Sequence, residues 1–431
     1  MRVIRNATLA DGRVRDVRIG DDGRIDAVGT DLDGETLRDA TGKRLLPGMI
    51  DAHVHFRQPG YAHKETWASG SRSAAAGGVT TVVDQPNTDP PTVDGAAFDA
   101  KEAFARDSLV DFGINGGVTE DWDPDTLFDR PLFALGEVFL ADSTGDMGID
   151  PELFEDAVRR ATEEDVVVTV HAEDASYFDD DARDRDDPDA WSAYRTAQAE
   201  AVAVARAVEV GTEVGATLHI AHTSTPEGID QATATGATTE VTPHHLFLSR
   251  EDLSDLGTFG RMNPPLRSEE RRLAVFDRVA DGTVDIVATD HAPHTREEKD
   301  ASIWDAPSGV PGVETALPLL LAAAEQGHLG YERVRDLTAA TVAEIFSVPH
   351  KGRIEAGRDA DLVLVDPDAV REIRAEDLHT NCDWTPFEGM DGLFPELTVV
   401  GGTVVWENER PGEDGDGTFG DHAGRNVRRP D

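Results

Sequence analysis

The chain has 431 residues, and 39% of them are hydrophobic, which is enough for a sizeable core and too many for a disordered polypeptide. Its formal net charge of −45 argues against a nucleic-acid partner, and no apolar run is long enough to predict a membrane span. The single cysteine, Cys382, excludes an intramolecular disulfide framework and a cysteine-rich metal site.

The first 45 residues predict short strands joined by tight turns. Asp11-Gly12 and Asp22-Gly23 interrupt alternating stretches such as Val14–Ile19, which is a hairpin signal. Between residues 47 and 351 the pattern changes to short apolar runs separated by helical stretches, with helices expected over Ala190–Val214 and Ser268–Ala280. The runs are Gly48–Val54, Gly78–Val83, Leu109–Ile114, Phe133–Phe139, Val166–Val170, Ala216–Ala221, Thr238–Thr242 and Val284–Thr289. This alternation predicts an α/β protein with a (β/α)₈ TIM-type barrel.

The C-terminal region returns to the style of the N-terminus. Asp361–Asp366 and Leu397–Trp406 predict strands, and Gly401-Gly402 predicts a turn within the second. We therefore expect residues 1–46 and 352–408 to form one small, discontinuous β-sandwich domain beside a barrel of residues 47–351. Residues 409–431 are rich in Gly, Asp and Arg and are expected to form a flexible tail.

Polar residues follow the ends of most of the predicted barrel strands, where such barrels place their active sites. Because His53 and His55 are two residues apart on a strand, both side chains face the same side. Imidazole and carboxylate groups together suit one or two divalent metal ions, zinc above all. The candidate metal ligands are His53, His55, Glu137, His171, His222 and Asp290.

Four motifs carry a family resemblance that covers the chain except its tail. Asp51–Gly60, Gln85–Thr88, Arg261–Arg267 and Ala288–His294 resemble the cyclic amidohydrolases, and among them the dihydroorotase family. The resemblance implies reversible cyclisation of N-carbamoyl-L-aspartate to L-dihydroorotate in pyrimidine (UMP) biosynthesis. It further implies that a metal-bound hydroxide attacks the ring carbonyl and that Asp290 acts as the catalytic general acid and base.

The substrate pair keeps a carboxylate remote from the reacting amide, and an arginine beside the metal is a bidentate partner for it. Arg57 with Asn87 thus favours dihydroorotase, because related allantoinases have asparagine at this position and hydantoinases also lack the arginine. The resemblance places seven residues around the substrate: His55, Arg57, Asn87, Asn263, His294, Ser308 and Gly309.

One position departs from the family pattern. Many relatives bridge two metals with a carbamylated lysine where this chain has Glu137, and no lysine lies between Lys101 and Lys299. Glu137 is already a carboxylate but is shorter, so it either bridges two metals after an inward shift of the strand end, or reaches one metal or none. We expect a direct metal role and one or two Zn²⁺ per chain, with two favoured.

Other candidates have simpler interpretations. His219 is out of phase with His222 and is expected to be packed or hydrogen-bonded, and His244 and His245 are expected behind the metal ligands. His63 and Lys64 lie in a predicted loop and are interpreted as surface residues.

Two alternatives stay open: a hydantoinase or allantoinase acting on another ring, and a catalytically inactive barrel kept as an assembly subunit. The expected partner is a small-molecule substrate, with neither nucleic acid nor membrane involved, and a homodimer is one candidate assembly. With no signal peptide at its start, the chain is expected in the cytoplasm. Its lysines are confined to positions 43, 64, 101, 299 and 351, and its acidic residues are spread along the chain. That composition indicates adaptation to molar salt, where the Debye length is about 3 Å.

Overall fold

The structure, a computed structural model, describes residues 1–141, 147–408 and 417–429. It has a mixed α/β fold whose strands fall into a terminal sheet, two parallel sheets and a small hairpin. In chain order the strands are β1 Arg2–Leu9, β2 Val14–Ile19, β3 Ile25–Gly29, β4 Glu35–Asp39, β5 Arg44–Pro47, β6 Met49–Val54, β7 Val79–Asp84, β8 Asp111–Ile114, β9 Leu135–Phe139, β10 Val168–His171, β11 Leu218–Ile220, β12 Thr238–Val241, β13 Ile286–Val287, β14 Leu362–Val365, β15 Arg371–Glu372, β16 Asp391–Gly392, β17 Leu397–Val400, β18 Thr403–Glu407 and β19 Thr418–Phe419.

Both ends of the chain share the terminal sheet. Within the described ranges its strand order is β19-β18-β17-β14-β5-β1-β2-β3, and β4 also pairs with β1. The hairpins predicted at Asp11-Gly12, Asp22-Gly23 and Gly401-Gly402 are confirmed by the antiparallel pairs β1–β2, β2–β3 and β17–β18. Two of these turns pack together, because a Cβ at Gly23 (φ +78°) would lie 2.4 Å from the carbonyl oxygen of Gly401.

Each of the eight parallel strands β6 to β13 coincides with one of the predicted runs, and only β7 and β10 extend one residue beyond it, to Asp84 and His171. Strands β6-β7-β8 form one sheet and β9 to β13 form another. Isolated parallel bridges, Gly116 to Leu135 and Val54 to His291, link the two sheets at both edges. In the described part of the chain, every one of these strands therefore has a parallel neighbour on each side, and their carboxyl ends meet on one face.

Helices lie between the parallel strands and around them. They are α1 Trp67–Ala76, α2 Gly95–Ala105, α3 Pro124–Phe128, α4 Pro151–Glu163, α5 Ala190–Tyr194, α6 Ala197–Val214, α7 Pro226–Thr235, α8 Pro243–Phe247, α9 Leu253–Leu256, α10 Glu269–Asp281, α11 Arg296–Lys299, α12 Ala316–Glu325, α13 Tyr331–Arg335 and α14 Thr341–Ile345, with a π-helical turn at Asp336–Ala340. Among the described residues, no helix is both long enough and apolar enough to cross a bilayer.

One predicted helix is divided in two. The pattern favours a single helix over Ala190–Val214, but α5 ends at Tyr194 and α6 starts at Ala197. The break occurs because Thr196 is extended and its hydroxyl accepts a hydrogen bond from the Ala199 amide as the N-cap of α6. The preceding residue, Arg195, turns inward and pairs with Glu173.

The C-terminal segment corrects a further expectation. Of the residues predicted as a flexible tail, 417–429 are described, and for these the expectation is wrong. Strand β19 pairs with β18, and the segment then runs beside β8, where Phe112 donates its amide to Arg425 and Val427 donates to Phe112. The guanidinium of Arg429 also pairs with Glu102 at 2.6 Å. Residues 409–416 and 430–431 of that prediction lie outside the described residues.

A buried charge cluster joins the parallel strands to the terminal sheet. The Lys351 ammonium lies 2.8 Å from Asp111, at the start of β8, and also contacts Asp361, which precedes β14. Burial lowers the pKa of Lys351, but Asp111, Asp361 and Asp359 outweigh burial and hold the pKa above its ordinary value. This lysine is therefore a cation shared by three buried carboxylates at the junction.

Replacing Lys351 by methionine should lower the free energy of unfolding by about 3–5 kcal/mol, because it leaves buried carboxylates without their shared cation. Urea unfolding in concentrated KCl measures the change. Arg159→Met, which removes an exposed pair with Glu155, should cost less than about 1 kcal/mol. Equal costs for the two variants would contradict a stabilising role of the junction.

Candidate active site

A small cavity opens at the carboxyl ends of the parallel strands. Its lining residues follow β6, β7, β12 and β13 or lie at the ends of β9 to β11. Most residues predicted for the site lie around this space. The lining residues are His55, Arg57, Asn87, Glu137, Phe139, His171, His222, Asn263, Asp290, Ala292, Ser308 and Gly309.

Glu137 stands at the centre of two overlapping groups of potential metal ligands. One group is His53, His55 and Glu137, and the other is Glu137, His171 and His222. Within each group the ligand atoms lie within 4.8 Å of one another, and all of these residues are buried. Glu137 Oε1 is 2.9 Å from His171 Nδ1 and contacts His222 Nε2, while its Oε2 is 3.4 Å from His53 Nε2. One carboxylate is thus shared by both groups.

Asp290 completes the side of the site next to β6. Its Oδ1 lies 2.9 Å from His55 Nε2 and 3.6 Å from His53 Nε2. Three residues of the site, Arg57 (φ 62°), His222 (φ 33°) and Asp290 (φ 45°), adopt the left-handed backbone region that side chains disfavour. Such conformations concentrate where the surrounding structure fixes functional groups.

Two imidazole nitrogens indicate that this donor set fits a cation. The Nε2 atom of His53 and the Nδ1 atom of His222 are buried and lack a hydrogen-bond partner in the described part of the chain. His53 Nε2 is directed between two carboxylates, Glu137 and Asp290. Histidine nitrogens and carboxylate oxygens converging in this way suit zinc and similar divalent ions.

Buried carboxylates behind the histidines were missed by the sequence analysis. Glu240 Oε1 is 2.6 Å from His53 Nδ1, and Glu173 Oε2 is 2.8 Å from His171 Nε2. Such outer partners orient a metal-binding imidazole and fix its tautomer. A signal for Glu240 was present, because it is an acidic residue inside the predicted strand Thr238–Thr242. His219 also contacts Glu240, at 3.1 Å, so it is buried and hydrogen-bonded as predicted.

Electrostatics within the site favours charged groups despite the burial. Burial raises the pKa of Glu137, but His53 and His222 outweigh it and hold the pKa well below its ordinary value. Burial lowers the pKa of His171, while Glu137 and Glu173 raise it to about 9 overall. The carboxylates of the site therefore favour positive charge on the neighbouring imidazoles. A bound cation could supply this positive charge in place of the imidazole protons.

The predicted carboxylate-binding residues lie beside His55. Asn87 Oδ1 is 2.7 Å from His55 Nδ1, and the Arg57 guanidinium lies 3.2 Å from His294 Nε2. Burial lowers the pKa of Arg57, which is 3% exposed at the edge of the cavity. His294 does not line the cavity itself but stands behind Arg57.

The remaining predicted contacts, Asn263, Ser308 and Gly309, also line the cavity. Asn263 Oδ1 accepts a hydrogen bond of 2.9 Å from the indole of Trp191, which was not predicted. The carbonyl of Ser308 is 3.0 Å from His294 Nε2, and the Lys299 ammonium donates to the carbonyl of Gly309 at 3.1 Å.

His244 and His245 pack behind the site rather than in the cavity. His245 Nδ1 lies 2.8 Å from the Thr242 hydroxyl, and its Nε2 lies 3.0 Å from the Pro264 carbonyl. Burial lowers the pKa of His244 to about 4, so this ring is neutral at pH 7.

A family match and the similarity to individual proteins point to the same group of enzymes. Residues 44–405 match the amidohydrolase family. The chain is 72% identical over 431 residues to the dihydroorotase of Halobacterium salinarum, with all of both chains covered. It is 42% identical to the dihydroorotase of Methanosarcina acetivorans, with 91% of this chain and 89% of the relative covered.

Proteins similar to this chain also include an allantoinase and a hydantoinase. An allantoinase of Rubrobacter xylanophilus is 36% identical, with 95% of this chain and 94% of the relative covered. Among solved structures, the L-hydantoinase (dihydropyrimidinase) of Arthrobacter aurescens aligns with a TM-score of 0.90 at 28% identity, covering 96% of this chain and 98% of that one. The chain belongs to the amidohydrolase family and, within it, to the dihydroorotases.

Proposed function

We propose that this protein catalyses the reversible cyclisation of N-carbamoyl-L-aspartate to L-dihydroorotate in pyrimidine biosynthesis. The observation that carries the proposal is the position of Arg57 and Asn87 beside the His55–Asp290 pair. The guanidinium gives the substrate carboxylate a permanently charged, bidentate partner at the edge of the metal-ligand cluster. The 72% identity to a dihydroorotase over the full chain supports the same function.

The proposed architecture is a (β/α)₈ barrel with a small β domain. The two bridges at the sheet edges support closure of β6 to β13 into a ring over residues 47–351. The shared terminal sheet supports a discontinuous domain of residues 1–46 and 352–408. Likeness to hydantoinase structures supports the same division.

The proposed cofactor is a pair of Zn²⁺ ions. His53, His55 and Asp290 would hold one ion, His171 and His222 would hold the other, and Glu137 would lie between them. Metal dependence is general in the amidohydrolase family, and the overlap of the two ligand groups at Glu137 supports two ions rather than one. A bound divalent ion supplies positive charge that polarises a carbonyl and acidifies water.

The side chains supply proton transfer and orientation. In ring opening, Asp290 Oδ1 accepts the proton of the attacking water and passes it to the leaving ring nitrogen. In ring closure the same carboxylate takes the proton from the carbamoyl nitrogen as that nitrogen attacks the side-chain carboxyl group. It then passes the proton to the carboxyl oxygen that leaves as water when the C–O bond breaks. Arg57 and Asn87 bind the remote carboxylate, and His294 supports Arg57 from behind. Asn263 and the Ser308–Gly309 backbone hold the ring. These contacts hold the substrate in the conformer in which the reacting groups are close, which lowers the entropic cost of the intramolecular cyclisation.

The proposed setting is the salt-rich cytoplasm of a halophile, since a net charge of −45 requires strong screening for compactness. The direct test is therefore hydrolysis of L-dihydroorotate by purified protein in multimolar KCl, with zinc measured on the same sample. Turnover with about two zinc ions per chain is the expected result. Turnover of allantoin or hydantoins instead would place the protein with its other relatives, and metal binding without turnover of any ring would indicate an inactive assembly subunit.

Replacing Arg57 by glutamine tests whether the site recognises a ring substrate by its carboxylate. The variant should lose k_cat/K_M for dihydroorotate by about 100-fold or more, because a buried charged hydrogen-bonding partner of the carboxylate is removed. Steady-state kinetics with dihydroorotate and with 5,6-dihydrouracil, which lacks the carboxylate, measure the change. Unaltered kinetics on dihydroorotate would contradict this assignment of Arg57.

A further inference from the structure

Lys64 is one of five lysines in the chain, and its surroundings are not those of a surface loop residue. Its side chain is 12% exposed, and its ammonium lies 3.0 Å from His294 Nδ1 and 3.1 Å from Glu298 Oε1. The loop after β6 carries both Arg57 and Lys64, while His294 and Glu298 follow β13. Lys64 thus connects the two loops that form the carboxylate side of the cavity.

The contact with Lys64 determines which nitrogen of His294 carries a proton. An ammonium group has donors and no acceptor, so His294 Nδ1 must be the acceptor. The neutral ring then carries its hydrogen on Nε2, which donates to the Ser308 carbonyl at 3.0 Å. Burial and the charge of Arg57 lower the pKa of His294 well below its ordinary value, in agreement with a neutral ring.

This tautomer has a consequence for Arg57. Arg57 Nη2 lies 3.2 Å from His294 Nε2, but guanidinium nitrogens are donors only, so a protonated Nε2 cannot accept from it. The guanidinium is therefore not used by His294 and is available to a carboxylate in the cavity. In the opposite tautomer, Nε2 would accept from Arg57 and would no longer bind the Ser308 carbonyl.

We propose that Lys64 is a positioning residue for substrate recognition, which selects the Nε2–H tautomer of His294 and so keeps Arg57 available to the substrate carboxylate. This inference rests on the proposed function, because the carboxylate belongs to dihydroorotate or N-carbamoyl-L-aspartate. Lys64 acts through His294 and Arg57, on the side of the cavity away from Glu137 and His171. Its removal should therefore weaken substrate binding more than it slows the chemical steps.

The test compares Lys64→Met with Lys64→Arg, which retains a donor, and with Lys43→Met, which removes the same charge beside Glu396 in the terminal sheet. For dihydroorotate hydrolysis in KCl, Lys64→Met should raise K_M about tenfold or more, with k_cat within about threefold of wild type. Lys64→Arg should recover most of this loss, and Lys43→Met should match wild type. The ¹⁵N shifts of the His294 ring, assigned with His294→Gln, should report a protonated Nε2 in wild type and a changed pattern in Lys64→Met.

Three other results would contradict the proposed role of Lys64 or the proposed function. If the K_M of Lys64→Met equals that of Lys43→Met, or if k_cat falls with the melting temperature while the His294 shifts stay constant, the proposal is overturned. If the wild-type enzyme does not turn over dihydroorotate, the proposed function fails, and the His294 shifts alone decide the role of Lys64. If the His294 ring of the wild-type protein is protonated on Nδ1, the proposed role of Lys64 is overturned.

Discussion

Asp290→Asn should lower k_cat for dihydroorotate hydrolysis by about 10²–10⁴-fold, the range of a lost general acid or base. Asparagine has the shape of aspartate but cannot accept a proton. Asp290 is 6% exposed and lines the cavity next to His55, whereas Glu137 is enclosed by three histidines. Because the carboxylate partners Arg57 and Asn87 are untouched, K_M should change far less than k_cat.

Kinetics in both directions, with zinc determined on the same sample, separate the two roles proposed for Asp290. Retained zinc with a low k_cat would assign the loss to proton transfer, whereas loss of zinc would assign it to coordination. Asp121→Asn, at an exposed position, is the matched control and should behave as wild type. An Asp290→Asn enzyme with more than about a tenth of the wild-type k_cat would contradict the general acid–base role.

The sequence was informative where local patterns determine structure. The run containing β6 predicted both a strand and the shared orientation of His53 and His55, because side chains alternate along a strand. Parallel strands bring their carboxyl ends together, so residues as distant as Arg57 and His294, which are 237 positions apart, could be placed in one site. The proximity of the candidate metal ligands was predictable for this reason, whereas the carboxylate-binding set was implied by the family resemblance.

Contacts between distant loops were not predictable in the same way. Lys64 resembles any loop lysine until the chain after β13 brings His294 and Glu298 against it. The segment 417–429 has a polar, glycine-rich composition that predicts flexibility, yet its amides and carbonyls pair with β8 and its arginines with Asp359 and Glu102. These outcomes depend on the partner surface rather than on the segment itself.

Glu137→Gln should abolish detectable turnover and reduce bound zinc, because it removes the one carboxylate common to both groups of ligands. The loss of zinc affinity should exceed the about 10- to 100-fold loss that follows removal of an outer partner. Glu173→Gln, which alters the carboxylate behind His171 and its ion pair with Arg195 but no candidate metal ligand, provides that reference. Zinc content and dissociation constants, measured by competition with a chelator, test both variants without requiring activity.

The family resemblance implies a carbamylated lysine at the position where this chain has Glu137. A carbamate requires carbon dioxide, whereas Glu137 is a carboxylate as synthesised, and its neighbours keep its pKa well below the ordinary value. Reconstitution of the metal-free protein with zinc should therefore proceed equally well in buffer purged of CO₂ and in buffer with added bicarbonate. A requirement for bicarbonate would show that another group bridges the ions. Full zinc content in Glu137→Gln would place Glu137 outside the metal site altogether.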